Sequence, residues 1–423
     1  MKRLIKNGFV VSDMVEIDRP ADVLIEDDKI VEVGYGINCE DAEIIDACGM
    51  FVYPGFIDMH CTICDPGHES VEDIETASTS AAKGGFTTIV CIPDTEPAVD
   101  NKTVVEYIIT KSREYSHINI FPYGSMTIGC KGEKASEMGE MIRAGAVGIA
   151  DGDLTVENAN LMRNIFTYSK MFDVPVITHC EDRSLSGIGV MNEGRVSTIL
   201  GLNGMPREAE DVVVARNIVL AEATGARLHI AHISTEGAVR QIRDAKKRGV
   251  NVTCETCPHY FTLTEEAAMQ YNTYAKVIPP LRTEKDTKAI IEGICDGTID
   301  AIASGHMPTR IEYKQREFDR AAYGISAFET AFSLSYTALV KTGKISELQL
   351  AEKMSKKPAE ILRFKDKGEI KAGMDADIVI MEIDNEYVIE PSEFYSKAKF
   401  TPAKGKKVFG STKHCIVGGK TVF

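Results

Sequence analysis

Three histidines stand at the ends of short apolar runs. His60 closes Gly55-Phe56-Ile57-Asp58-Met59-His60, His179 closes Val174-Pro175-Val176-Ile177-Thr178-His179, and His232 closes Leu228-His229-Ile230-Ala231-His232. One such histidine reads as structural. Three on separate strands can converge on one point, as the imidazole ligands of Zn²⁺ do. Thiols form a second set: Cys61 and Cys64, and again Cys254 and Cys257, share the C-x-x-C spacing of four-thiolate zinc or iron–sulfur sites. Side chains alternate along a strand, so an inward His60 turns Cys61 outward, which opposes convergence. Buried apolar thiols are the expected state. Cys64, close to the same strand end, has a second reading as a nucleophile or soft metal ligand.

These residues need a scaffold that brings strand ends together. From about residue 55 the sequence alternates strand and helix. Nine candidate strands follow one another, among them Thr87–Ile92, Ile118–Phe121, Ala146–Ala150, Val250–Cys254, Ala275–Ile278 and Ala301–Ser304. Ser70-Val71-Glu72-Asp73 reads as a capping box that opens a helix, and Gly84-Gly85 closes it. Alternation on this scale is that of a (β/α)₈ barrel, whose active groups sit at the C-terminal strand ends. With nine candidates, one strand is expected to lie outside the barrel proper. Residues 1–52 and 365–423 read instead as short strands separated by turns such as Asn7-Gly8 and Gly418-Gly419. The expectation is a barrel over 53–364 and a small β-sandwich domain built from both chain ends.

The chain has 423 residues, with 48 Lys+Arg against 63 Asp+Glu, for a formal charge of −15. That balance argues against a partner held by phosphates, so no nucleic acid is expected. No apolar run approaches the roughly 18 residues of a membrane span, and the N-terminus lacks the apolar stretch of a signal peptide. A cytoplasmic protein is expected, with its eleven cysteines as free thiols.

Pro54-Gly55-Phe56-Ile57-Asp58-Met59-His60 resembles the opening signature of the amidohydrolase superfamily. Asp65-Pro66-Gly67-His68-Glu69, Ala81–Thr88, His179-Cys180-Glu181-Asp182, His232-Ile233-Ser234, Thr253–His259, Pro279-Pro280-Leu281-Arg282 and Gly324-Ile325 with Glu329-Thr330 narrow the resemblance to its class I dihydroorotase family. The resemblance covers nearly the whole chain. It implies a zinc-dependent cyclic amide hydrolase of pyrimidine biosynthesis, with a metal centre at the barrel mouth. His259 and His306 fall in family motifs near that mouth, and Glu181-Asp182 reads as a hydrogen-bonding pair behind the ligands. His68, His117, His229 and His414 read as surface or packing residues. The charged stretch Arg310–Ala322 resembles the family's mobile loop.

The catalytic positions depart from the family pattern. The second histidine of the family's His-x-His is Thr62, and its carboxylate-gripping Arg is Cys64. Its bridging Asp falls at Gly152, flanked by Asp151 and Asp153, either of which rescues the role by a one-residue shift. Its acid/base Asp is Gly305, and glycine carries no proton; removal of such a base costs about 10²–10⁴-fold. Two substrate-binding Asn positions are Asp94 and Ile278, and a substrate-contacting His is Thr309. The first expectation is therefore a dihydroorotase-like homologue that has lost dihydroorotate hydrolysis. It would be a homo-oligomer that scaffolds a partner of the aspartate transcarbamoylase type. The alternative is a cyclic amide hydrolase or deaminase of altered specificity. It would use one zinc ion on His60, His179 and His232, with Asp151 as a further candidate ligand. Its pocket would be lined by Cys64, Asp94, Ile278 and Thr309, with Asp94, Asp151 or His306 as base.

Overall fold

A computed structural model describes all 423 residues. Eight parallel strands form the barrel: Phe56–Cys61, Phe86–Cys91, Asn119–Pro122 continued past a bend as Gly124–Ser125, Ile149–Ala150, Val176–Thr178, Leu228–Ile230, Val252–Thr256 and Ala301–Ile302. The ring closes where Thr62 N donates to His306 O at 2.9 Å and Ser304 N donates to Asp58 Oδ1 at 3.0 Å. Ala275–Ile278, the ninth candidate, is not a strand. Thr273–Ala275 is a 3₁₀ turn, and the β-branched Val277 and Ile278 that follow line a cavity instead of pairing.

Helices surround the strands because each presents one apolar stripe to them. Ala77, Val105, Met162, Val214, Val239 and Ile290 from helices share one buried cluster with Ile89, Ile149, Val176, Leu228, Val252 and Ile302 from strands. Local chemistry sets the helix ends. Thr235 Oγ1 accepts from Ala238 N at 3.0 Å at the start of Glu236–Lys247, and Gly225, at φ +70°, ends Glu208–Thr224. The helix Ile74–Lys83 begins at Asp73, whose carboxylate accepts from Thr76 N at 2.8 Å. The expected Ser70 start is displaced because Glu72 is buried and receives Thr76 Oγ1 and Ser396 Oγ.

The chain ends build one further sheet. Phe51–Pro54 pairs in parallel with Lys2–Val10 and antiparallel with Ile378–Val388, placing Tyr53 opposite Val379. Ile5, Val23, Ile25 and Val52 from the N-terminal strands pack in one cluster with Ile378, Ile380 and Ile416 from the C-terminal ones. The sheet therefore closes on its own core as a sandwich. No helix is long and apolar enough to cross a membrane.

Candidate functional site

The three strand-end histidines meet at the barrel mouth. His60 ends its strand, His179 follows Val176–Thr178 directly, and His232 lies two residues past Leu228–Ile230 with φ at +34°. All three are buried. Asp153, in the loop after Ile149–Ala150, enters between them: its Oδ1 is 3.7 Å from His60 Nε2 and 3.7 Å from His232 Nε2. Donor atoms of His60, Asp153 and His232 all lie within 4.8 Å of one another. His179 Nδ1 stands 3.3 Å from His232 Nε2.

Carboxylates back these rings. Glu255, fully buried on the seventh strand, places Oε1 3.6 Å from His60 Nδ1 and Oε2 3.5 Å from His229 Nε2. Glu181 Oε2 lies 3.3 Å from His179 Nε2. Burial alone would raise the Asp153 carboxyl, but the His232 and His60 rings outweigh it and hold the group well below its usual range. Burial likewise opposes charge on His232, and Asp153 more than compensates, so this imidazole is raised. Glu255 follows the same logic: burial works against the anion, and His229, His60 and His232 keep its carboxyl low.

The two-ion centre that the family resemblance implies does not fit, because Thr62, Gly152 and Gly305 offer no ligand equal to an imidazole or carboxylate. One divalent ion does fit. A carboxylate behind Nδ1 of His60 leaves its Nε2 lone pair for the cluster, and a carboxylate behind Nε2 of His179 leaves its Nδ1 lone pair. Asp151 does not join. It is buried and turned to Thr127, whose backbone N–H it accepts at 2.9 Å, together with the hydroxyl. The one-residue shift goes to Asp153.

A cavity of about 30 Å³ opens beside the cluster. It has room for roughly one or two waters, against the roughly 300–1,000 Å³ of ordinary ligand pockets. His60, Thr62, Asp153, His232, Cys257, His259 and Gly305 stand in its wall, which contains no Lys or Arg. Gly305 sits at φ +68°. A Cβ there would lie 2.7 Å from His259 Cε1 and 2.8 Å from Cys257 Sγ, so no side chain fits on this backbone unless those groups shift. His259 is a neutral imidazole, pushed down to about 3 by burial and by His232.

The remaining sequence candidates divide. Ile278 lines the cavity. Thr309 is half-buried at the start of the following loop and outside the cavity wall. Asp94 is exposed and outside the cavity wall. Cys64 is buried, and burial with the charges of Asp94, Glu72 and Asp65 drives its thiol far up, away from a thiolate nucleophile. His306 Nδ1 accepts from Ala327 N at 3.1 Å, which places the proton of a neutral ring on Nε2, 3.7 Å from Glu72 Oε2, and leaves no free lone pair for a base. The C-x-x-C thiols stand apart, with Cys61 Sγ on Val90 O and Cys254 Sγ on Thr298 O. Sequence reasoning passed over Glu255 and took His229 for packing. The available signal was an acid inside the otherwise uncharged strand Val252–Thr256.

Known proteins place this geometry. A family model described as dihydro-orotase-like matches residues 49–238. A dihydroorotase of Acetivibrio thermocellus is 49% identical over 419 residues, covering 99% of this chain and 98% of that protein. One from Ruminiclostridium cellulolyticum is 49% identical over 422 residues, covering 100% and 98%. Among solved structures, an L-hydantoinase (dihydropyrimidinase) from Arthrobacter aurescens superposes with a TM-score of 0.90 at 27% identity, covering 100% of this chain and 96% of that one. A dihydropyrimidinase from Brevibacillus agri NCHU1002 gives 0.86 at 25% identity, covering 100% and 95%. This chain belongs to the dihydroorotase family of the amidohydrolase superfamily.

Proposed function

We propose that this family member does not hydrolyse dihydroorotate and acts as a non-catalytic subunit. One observation supports the reading: position 305 carries no side chain, and Cys257 Sγ and His259 Cε1 crowd the place of a Cβ there. Hydrolysis of a cyclic amide requires a group that takes a proton from the attacking water and returns it to the leaving nitrogen. Neither His306, whose Nδ1 lone pair is taken by Ala327 N, nor Asp151, bound to Thr127, is free for that task, and Asp94 stands outside the cavity wall. The absence of Lys and Arg from the cavity wall removes the grip on a substrate carboxylate. The reading includes a cytoplasmic homo-oligomer and a partner of the aspartate transcarbamoylase type, as the family resemblance implies. Purified protein incubated with dihydroorotate and added Zn²⁺ or Mn²⁺ is expected to show no turnover; sustained hydrolysis refutes the proposal.

The His60–Asp153–His232 cluster favours a second reading. Here His60, Asp153 and His232, with His179 alongside, hold one divalent metal, and a neutral cyclic amide is the substrate. A bound ion of this kind lowers the pKa of its water and polarises a carbonyl. The chain's residues contribute lone pairs fixed by Glu255 and Glu181, and a wall without cations that disfavours carboxylates. Elemental analysis of protein purified without added metal separates the readings. A stoichiometric metal lost on His179→Ala supports the second; a stable, metal-free protein supports the first.

A further inference from the structure

We infer that Glu255 is a positioning residue that locks His60 in the Nδ1–H tautomer and so aims its Nε2 lone pair at the Asp153–His232 cluster. The inference rests on the one-metal reading for its purpose, though not for its geometry. Glu255 has no exposure, and neither of its oxygens receives a hydrogen bond from a backbone N–H or a hydroxyl. Two imidazole edges face it, His60 Nδ1 at 3.6 Å and His229 Nε2 at 3.5 Å. A buried carboxylate with no other partner is expensive, and an apolar side chain of similar volume would serve packing better. The arrangement makes sense when the carboxylate acts on the rings.

The rest of the network agrees. Thr253 Oγ1 lies 2.8 Å from His229 Nδ1, so the hydroxyl can donate there and leave the ring proton on Nε2, facing Glu255. Each carboxylate oxygen then faces one imidazole N–H. On the far side, Glu181 treats His179 in the opposite sense: it faces Nε2 and leaves Nδ1 turned to His232. His60 and His179 thus offer different nitrogens to the same cluster, each selected by its own acid. His60 Nδ1 has no hydrogen-bond partner, and Glu255 at 3.6 Å is the acid on that edge against Asp153 at 3.7 Å on the Nε2 edge, so without Glu255 the ring proton is drawn to Nε2.

The test uses the full chain labelled with ¹⁵N in its histidine rings. In metal-free wild-type protein above the imidazole titration range, His60 is expected to be protonated on Nδ1 and bare on Nε2. Glu255→Gln, nearly isosteric, is expected to move the His60 ring proton toward Nε2, the edge that faces Asp153, while His179 stays as before. Zn²⁺ affinity, measured against a competing chelator, should fall about 10–100-fold. A wild-type His60 protonated on Nε2 overturns the inference without any variant, whether or not Glu255→Gln folds. An unchanged tautomer and unchanged Zn²⁺ affinity in Glu255→Gln also overturn it. If wild-type protein binds no Zn²⁺ yet shows the Nδ1–H tautomer, and Glu255→Gln disturbs it, the positioning role stands and the one-metal reading falls.

Discussion

Gly305→Ala should destabilise the protein far more than a methyl group on a surface loop. Two costs add. At φ +68° an L-residue occupies the left-handed region, which costs roughly 1–2 kcal/mol. The new Cβ also meets His259 Cε1 at 2.7 Å and Cys257 Sγ at 2.8 Å, and overpacking of this kind costs about 1–3 kcal/mol. The sum is about 2–5 kcal/mol. The sulfur is one of the two obstructions, so Cys257→Ala should lower the cost of Gly305→Ala. A coupling of about 0.5–3 kcal/mol is expected for groups in direct contact. Urea unfolding followed by tyrosine emission suits the measurement, because the chain has 14 Tyr and no Trp. Gly305→Asp carries the same backbone and Cβ costs and adds a carboxylate to a region already holding Asp153 and Glu255. It should therefore be less stable still, and inactive on dihydroorotate. Wild-type stability for Gly305→Ala would refute the claim that the position is sterically closed. Dihydroorotate turnover by Gly305→Asp would refute the claim that a missing base is only part of the loss.

Other outcomes follow from the same geometry. Asp153→Asn should weaken Zn²⁺ binding in a chelator competition, whereas Asp151→Asn should leave it unchanged. Asp151→Asn should instead lower stability by about 1–3 kcal/mol, because an amide replaces one of the two oxygens and leaves one Thr127 donor without its acceptor. Thiol titration of the native protein at pH 8 should modify the exposed Cys48 and Cys295 first and leave buried Cys64 unreacted until unfolding. Lys314 is fully buried on Thr273 O and Lys276 O, and burial with Lys276 pushes its ammonium down to about 7. Between that value and the ordinary lysine range the unfolded chain binds the extra proton, so Lys314 makes stability rise with pH over that interval. Lys314→Met should flatten the rise in urea midpoints measured from pH 7 to pH 10.

The barrel was legible because its signal repeats. Most strands are short apolar runs, and helices such as Glu208–Thr224 end on a glycine whose left-handed backbone stops them. Ala275–Ile278 misled because burial, not pairing, selects its β-branched residues: Val277 and Ile278 wall the cavity from a loop. The three histidines could be read from their strand-end positions. Glu255 and His229 could not be joined in the same way. Their contact crosses between adjacent strands, where His229 pairs in register with Thr253, and a single sequence does not display cross-strand neighbours. Asp153 lay within reach as a flank of Gly152, but only the loop path decides that Asp151 turns to Thr127 while Asp153 turns to the rings.

Two of the altered ligand positions lie side by side. Thr62 follows the first strand and Gly305 the last, and these strands meet at the seam where Thr62 N donates to His306 O. The retained groups occupy the other side: Asp153 after the fourth strand, His179 and His232 after the fifth and sixth, and Glu255 on the seventh, with His60 reaching across from the seam. Independent drift would strike both sides alike. The pairing of the Thr62 and Gly305 changes at one seam, with Asp153 taking the place of Gly152 and the imidazole-backing acids kept opposite, matches the removal of one half of a two-ion centre as a unit. Restoring the lost half would require a ligand at 62, a carboxylate at 305 and space between Cys257 and His259 together. Thr62→His alone should therefore leave dihydroorotate untouched while adding at most one donor to the existing cluster. Metal stoichiometry measured on that variant decides the point: a second bound ion would show that the seam is still competent.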